Sequence, residues 1–324
     1  MKRTTLKLKM VLLLLTFMLL TPAVYAIDAV ASFGKVNGDV QVLRDTRKIP
    51  GLSGLILVDK DVVVTNRDSK VTIIFRDGSE IRLFQNTTFV IEKSEEPEQG
   101  SRQFLHNLKL KVGSFWGKFT KGRQKSTVVT PTATIGIKGT NVALLERDDK
   151  LSVSLSSGSI SVANEDETYD MAPGKLIENM EKHGSIKDKV RELPYMLEIK
   201  TDQALIKLPN PGKEEEIYFS LQMVDTKSRE NISRQGDVYI TLDIDKIVFP
   251  DTIKLNDRGY ARVKAVVKPF QKADFKTGQV EVFAAMDGEQ FLDVGAGQTT
   301  LSYKIPEQMT KTIRINVNSG EIQK

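Results

Sequence analysis

The 324-residue chain contains no cysteine. Disulfides, thiol catalysis and a lipid anchor on an N-terminal cysteine are therefore excluded, and stability has to come from packing. Histidine is nearly as scarce. His106 and His183 lie far apart, neither stands in the H-E-x-x-H spacing of a metal-ligating helix, and both read as surface residues. Beyond residue 20 no apolar run is long enough to span a bilayer. No block of like charge is long enough to make a strong field. The G-x-S-x-G elbow of a serine hydrolase is missing, because Gly51-Leu52-Ser53-Gly54 lacks its spacing. Gly136-Ile137-Lys138-Gly139-Thr140 lacks the spacing and the strand-to-helix context of a phosphate loop. Residues 274–281 do not follow an EF-hand pattern, and Asp243 and Asp245 read as one exposed strand face. No catalytic residue, cofactor or metal ligand is assigned, and a non-enzymatic protein is expected.

What is present begins at Met1. Lys2, Arg3, Lys7 and Lys9 precede the apolar run Met10 to Leu20, Thr21-Pro22 breaks it, and Val24-Tyr25-Ala26 offers the small residues a signal peptidase reads. Cleavage between Ala26 and Ile27 is expected. It would place the mature chain in the periplasm or outside the cell, without a membrane span. The formal charge of +5 changes meaning on this reading. The leader holds four of the 47 basic residues and none of the 42 acidic ones, which leaves 43 against 42. Lys118, Lys121, Arg123 and Lys125 cluster beside Phe115, Trp116 and Phe119, a combination that can bind single strands. In an exported, nearly neutral chain it reads instead as a twisted strand edge, and no nucleic-acid partner is expected.

Periodicity of two runs through almost the whole mature chain. Val62 and Val64, Val71, Ile73 and Phe75, Ile81 and Leu83, and Phe89 and Ile91 alternate with polar neighbours, the pattern of half-buried strands. Asp77-Gly78 suits a tight hairpin. A short pattern recurs at Gly38, Gly113 and Gly158, each preceding an alternating strand, as stacked coils or a string of ordinary hairpins would show. Gly78, Gly113, Gly136, Gly139 and Gly158 read as structural glycines for sharp turns and close packing between coils. Glu92 to Arg102 reads as a charged loop leaving the fold. Residues 178–200 read as a linker, with a short helix from Ile186 to Leu193 ended by Pro194. After it come seven candidate strands: Ile217 to Val224, Val238 to Asp245, Thr252 to Leu255, Tyr260 to Lys268, Gln279 to Met286, Thr299 to Ile305 and Thr312 to Asn318. That count fits an immunoglobulin-like sandwich, here without the cysteine pair or core tryptophan of antibody domains. The expected organisation is a signal peptide (1–26), a β domain (27–177), the linker (178–200) and a β-sandwich (201–324).

The first β domain resembles the FecR domain family. The resemblance rests on Val71 to Leu83 (VTIIFRDGSEIRL), Val112 to Phe119 (VGSFWGKF) and above all Val129 to Ala143 (VTPTATIGIKGTNVA), continued by Gly158 to Val162 and Pro173-Gly174. It spans roughly residues 35 to 177 and implies a stacked, solenoid-type all-β fold. The family's best-known members sit in the periplasm and relay the state of an outer-membrane receptor to a cytoplasmic sigma factor. They do so through a cytoplasmic segment and a membrane span, neither of which is expected in this chain after cleavage. The C-terminal domain resembles bacterial Ig-like modules in general pattern.

The leading expectation is a binding or scaffolding module for a protein or cell-envelope partner. A periplasmic component of envelope signalling is the alternative, and a cell-wall polymer hydrolase a more distant one. Phe115, Trp116 and Phe119 are the candidate contact residues. Alternation turns Phe115 and Trp116 to opposite faces of their strand, so one of them should point outward unless both faces are covered.

Overall fold

The computed structural model describes residues 28–96, 104–120, 126–203, 205–207, 213–242, 246–269, 279–304, 314–315 and 322–323. The chain is all-β. Among the described residues the helical segments are short 3-10 turns such as Lys187–Lys189 and Glu289–Phe291.

The N-terminal half forms one fifteen-stranded sheet. Its first strands are β1 (Ala31–Asn37), β2 (Val40–Arg44), β3 (Arg47–Pro50), β4 (Ile56–Leu57), β5 (Val62–Thr65), β6 (Lys70–Phe75), β7 (Glu80–Leu83) and β8 (Thr87–Glu95). Three 14-residue strands are interleaved with shorter ones: β9 (Leu105–Lys118), β10 (Ser126–Val129), β11 (Thr134–Arg147) and β12 (Lys150–Ala163). The sheet finishes with β13 (Thr168–Met171), β14 (Lys175–Met180) and β15 (Val190–Glu192). All pairings are antiparallel except β9 with β10.

The long strands change neighbours partway along. The first part of β9 pairs with β8, from Leu105 to Val112, and the second part with β7 and β11, from Gly113 to Lys118. Strand β11 likewise passes from β10 to β9, with its register shift against β12 between Lys138 and Asn141. One sheet is thereby bent into two layers around a single core that includes Phe33, Ile73, Phe89, Phe115 and Ile135. The bends need glycine. Gly113 has φ +99°, and a Cβ there would lie 2.5 Å from the Thr87 Cα. Gly158 has φ +84°, and its Cβ would lie 2.3 Å from the Gly139 carbonyl oxygen. These are two of the three positions of the recurring glycine pattern, and at both a corner of one coil rests on its neighbour.

Among the described residues the C-terminal half forms a sandwich of two five-stranded sheets. One holds β16 (Tyr195–Thr201), β18 (Glu215–Asp225), β20 (Ile247–Val248), β22 (Tyr260–Val267) and β24 (Val294–Gly295). The other holds β17 (Leu205–Lys207), β19 (Gly236–Leu242), β21 (Ile253–Leu255), β23 (Gln279–Met286) and β25 (Gly297–Lys304). Alternating residues of these strands, among them Val263, Ala265, Val267, Val280 and Val282, face inward and form its core.

Three expectations are corrected. The helix from Ile186 to Leu193 is a single 3-10 turn followed by β15, which pairs with β14, and Ile186 is buried in the N-terminal core. The segment 178–200 is therefore shared between the two domains, which meet at Leu193-Pro194, between β15 and β16. Apolar Ile186, by entering the core, and Val190, by joining the sheet, gain more than a free helix of one or two turns could offer. The charged stretch starting at Glu92 does not leave the fold at once, because Lys93, Ser94 and Glu95 continue β8 opposite Asn107, His106 and Leu105. Residues 97–103 lie outside the described residues, as do the Ala26–Ile27 cleavage site and Asp243 and Asp245.

Candidate functional site

The outward face of the bent sheet is covered by the sandwich. Thr72, Arg82, Trp116 and Ala143 stand side by side across β6, β7, β9 and β11. Because alternate residues share a face, Lys70, Glu80, Phe84 and Ser114 flank that row. Opposite them, β19 presents Tyr239 and Thr241, and β23 presents Phe283 and Ala285, paired in register. Phe84, Trp116, Phe283 and Ala285 form a separate buried cluster with Ala143 and Tyr239 packed against it. The Trp116 and Tyr239 rings meet edge to face at 6.2 Å.

Charge pairs surround these aromatics. The Arg82 guanidinium donates to both carboxylate oxygens of Asp287, at 2.6 and 3.0 Å, and to Thr72 Oγ1 at 3.0 Å. It also lies 4.5 Å over the Tyr239 ring. The Lys70 ammonium donates to the Asp287 carbonyl at 2.8 Å and to its carboxylate at 3.2 Å. Glu80 accepts from the hydroxyls of Tyr239 and Thr241. Glu289 accepts from Ser114 Oγ at 3.2 Å and from Arg147 at 2.9 Å. The Ser156 hydroxyl oxygen accepts the Ala296 N–H at 2.8 Å. Burial alone would raise the Asp287 carboxyl, but the Arg82 and Lys70 cations hold it below its ordinary value. Burial and the neighbouring Glu80 carboxylate push the Tyr239 hydroxyl well above its ordinary value, so it remains a donor.

The fit is incomplete at one point. Among the described residues the buried Trp116 indole N–H has no hydrogen-bond partner. The same ring lines a cleft, with Phe84, Ser114, Met286 and Glu289, that has about 20 Å³ of space, room for a single water.

The contact residues expected from sequence divide between the two faces. Phe115 and Phe119 lie in the N-terminal core, and Phe115 meets Phe89 edge to face at 5.7 Å. Trp116 points the other way, as alternation requires, but it is 5% exposed because the sandwich covers it. The surface expected to meet another molecule meets this chain's own second domain. Lys118 is not a solvated edge lysine either, since its ammonium sits 5.6 Å over the Phe283 ring and the residue is buried. Lys121, Arg123 and Lys125 lie outside the described residues. Gly78 turns the β6–β7 hairpin with φ +85°. Gly136 pairs with Thr127 and Ser161, and Gly139 sits at the bend of β11. Sequence reasoning passed over Arg82, Glu80, Lys70 and Asp287. An isolated charge on an alternating strand looks solvated, and only the opposing domain makes it otherwise.

His106 is also corrected, because it is 1% exposed and lies within β9 on the inward side shared by Leu108 and Leu110. Its Nδ1 is 2.9 Å from Ser94 Oγ and its Nε2 is 3.1 Å from Asp77 Oδ2. Asp77 also accepts from the Ser79 N–H and hydroxyl, both at 2.8 Å, and from the Thr120 hydroxyl at 2.7 Å. The Phe75 ring closes over the imidazole at 4.4 Å. The three residue types are those of a serine hydrolase triad, but the carboxylate is saturated by donors and the group is sealed, so its role is to tie the β6–β7 turn to β8 and β9. His183 is exposed, 3.4 Å from Asp166.

One comparison with known proteins falls in the N-terminal half. Residues 61–161 match the family described as FecR protein. Among solved structures, two crystal structures of a "putative anti-sigma factor" from Parabacteroides distasonis, at 1.65 and 2.50 Å resolution, each align over 36% of this chain and 53% of theirs, with 16% identity and a TM-score of 0.31. The chain thus spans about half the length of that protein. Escherichia coli alpha-2-macroglobulin activated by porcine elastase aligns over 87% of this chain and 42% of its own, at 9% identity and a TM-score of 0.27. The search of curated proteins found no match.

Proposed function

Starting from the FecR domain that this chain carries over residues 61–161, we propose that it is a non-enzymatic, exported binding or scaffolding module for a protein or cell-envelope partner. The carrying observation is the seam. Two β domains are fastened face to face by aromatic packing and by buried, charge-assisted hydrogen bonds. When closed, such a joint sets the geometry of two surfaces relative to each other, as a scaffold requires and a flexible tether cannot supply. Crosslinking in intact cells followed by mass spectrometry tests the reading. A discrete envelope protein or polymer captured by the full chain supports it. Turnover of peptidoglycan fragments by the purified protein, or no capture above background, overturns it.

The FecR match favours a second reading, in which the module is the periplasmic part of an envelope signalling system coupled to an outer-membrane receptor. A receptor-dependent change of transcription that persists when this chain is deleted rules that reading out.

A further inference from the structure

We propose that the row of Lys70, Thr72, Arg82 and Trp116 on the FecR domain is a docking site for an acidic turn of a partner protein, held closed by this chain's own Asp287-Gly288 turn. The inference rests on the scaffold reading and names the partner's chemistry and its control.

The site has the parts of a carboxylate receptor. Arg82 is 4% exposed and offers the parallel pair of N–H donors that fits a carboxylate. Thr72 Oγ1 accepts a third guanidinium N–H and fixes the plane of the fork. Lys70 reaches both the side chain and the backbone carbonyl of the aspartate, so the site reads a turn rather than an isolated anion. Trp116 and Phe84 supply an apolar wall beside it.

The occupant seen here fills the charged half of the site better than the aromatic half. Asp287 satisfies Arg82 and Lys70, yet among the described residues no protein group accepts from the buried Trp116 N–H, and the ring borders a space of about one water. A buried donor left unpaired is costly. A ligand carrying both a carboxylate and an acceptor placed over the indole would gain what the internal turn forgoes. The chain permits exchange. The domains join covalently at Leu193-Pro194, and much of the seam is polar, as in interfaces that open and close. The internal turn then acts as a tethered competitor, and apparent affinity for a partner falls by the fraction of molecules that are open.

The probe is a fluorescein-labelled cyclic peptide of this chain's residues 284–290, with binding to the full-length protein read by anisotropy. Asp287→Ala should bind it at least tenfold more tightly than wild type. Adding Arg82→Ala to Asp287→Ala should abolish that gain. The absence of native cysteine allows a clean lock, because Ser156 Oγ and the Ala296 nitrogen are 2.8 Å apart across the seam. Ser156→Cys with Ala296→Cys, added to Asp287→Ala, should block the peptide when oxidised and readmit it when reduced. Asp287→Asn, with a far-UV circular dichroism spectrum for every variant, guards against misfolding. Equal binding by wild type and both Asp287 variants, no binding by any of them, or binding indifferent to Arg82 overturns the proposal. Crosslinking of the same envelope partner by wild type and oxidised lock alike would also overturn it while leaving the scaffold reading intact.

Discussion

Replacing Arg82 by alanine should loosen the joint between the domains before it unfolds either one. The side chain donates twice to Asp287 and once to Thr72 and lies over the Tyr239 ring. Removing one partner of a buried ion pair costs roughly 3–5 kcal/mol, chiefly because the other charge is left in a poor environment. The lower end applies here. Lys70 still contacts Asp287, and the Asp287 side chain is 13% exposed, so water can reach it. The cation–π contact adds about 1 kcal/mol to the loss. A total cost of about 4 kcal/mol lowers the closed-to-open ratio roughly a thousandfold. The assay is built in, since Trp116 is the only tryptophan and sits in the seam, so its emission reports the joint while far-UV circular dichroism reports the sheets. In urea the fluorescence midpoint of Arg82→Ala should fall by about 1 M or more and separate from the circular dichroism midpoint. Two transitions that stay superimposed at wild-type midpoints would refute the reasoning.

Gly113→Ala should cost about 2–4 kcal/mol in urea unfolding, from positive-φ strain and from a Cβ forced to within 2.5 Å of the buried Thr87 Cα; a loss below about 1 kcal/mol would mean that the corner relaxes freely. Burial would raise the Asp77 carboxyl, but donors from His106, Thr120 and Ser79 outweigh it and bring its pKa to about 2. A depressed carboxylate stabilises the fold above its unfolded pKa, so about 2 kcal/mol should be present above roughly pH 4 and lost between about pH 4 and pH 2, a slope that Asp77→Asn should remove. Glu146 is the opposite case. Burial raises its pKa despite donors from Thr130 and Thr132, and its Oε2 has no partner among the described residues. Its ionisation therefore erodes stability as pH rises through and above the ordinary carboxyl range, and Glu146→Gln should raise the urea midpoint at pH 7 while changing little at pH 4.

Much of the fold could be read in advance because each sheet has one face on a core and the side-chain period is two. The inward sets Val71, Ile73 and Phe75 and Val263, Ala265 and Val267 are buried as expected. Strand β16 escaped notice because it follows the polar stretch from Glu178 to Leu193, which looked like a tether. The seam was half legible. Alternation gave Phe115 and Trp116 opposite facings, and that holds. What alternation cannot carry is the identity of whatever covers an outward face. Arg82 and Asp287 stand 205 positions apart, one on β7 and the other in the turn after β23 of the other domain, and no local pattern links them. The buried tie of Ser94, His106 and Asp77 was hidden in the same way, by residues that meet across two hairpins.

The chemistry of the seam carries one more expectation. Buried ion pairs recover little more than their desolvation cost, and well-packed apolar replacements of similar volume often match or exceed them in stability. A joint selected only for strength would not need Arg82 and Asp287. Replacing both, as Arg82→Met with Asp287→Leu, removes the charge pair together, so neither ion is stranded. Lys70 keeps the backbone carbonyl at position 287, 2.8 Å away, and at 28% side-chain exposure can turn its ammonium to water. The double variant should therefore melt within about 1 kcal/mol of wild type or above it, in contrast to Arg82→Ala, and its fluorescence and circular dichroism transitions should coincide. Its joint should no longer exchange with an acidic peptide, because both the receptor and the internal competitor are gone. A double variant as unstable as Arg82→Ala would show that the pair contributes strength that apolar packing cannot replace, and the seam would then be a structural weld rather than a latch.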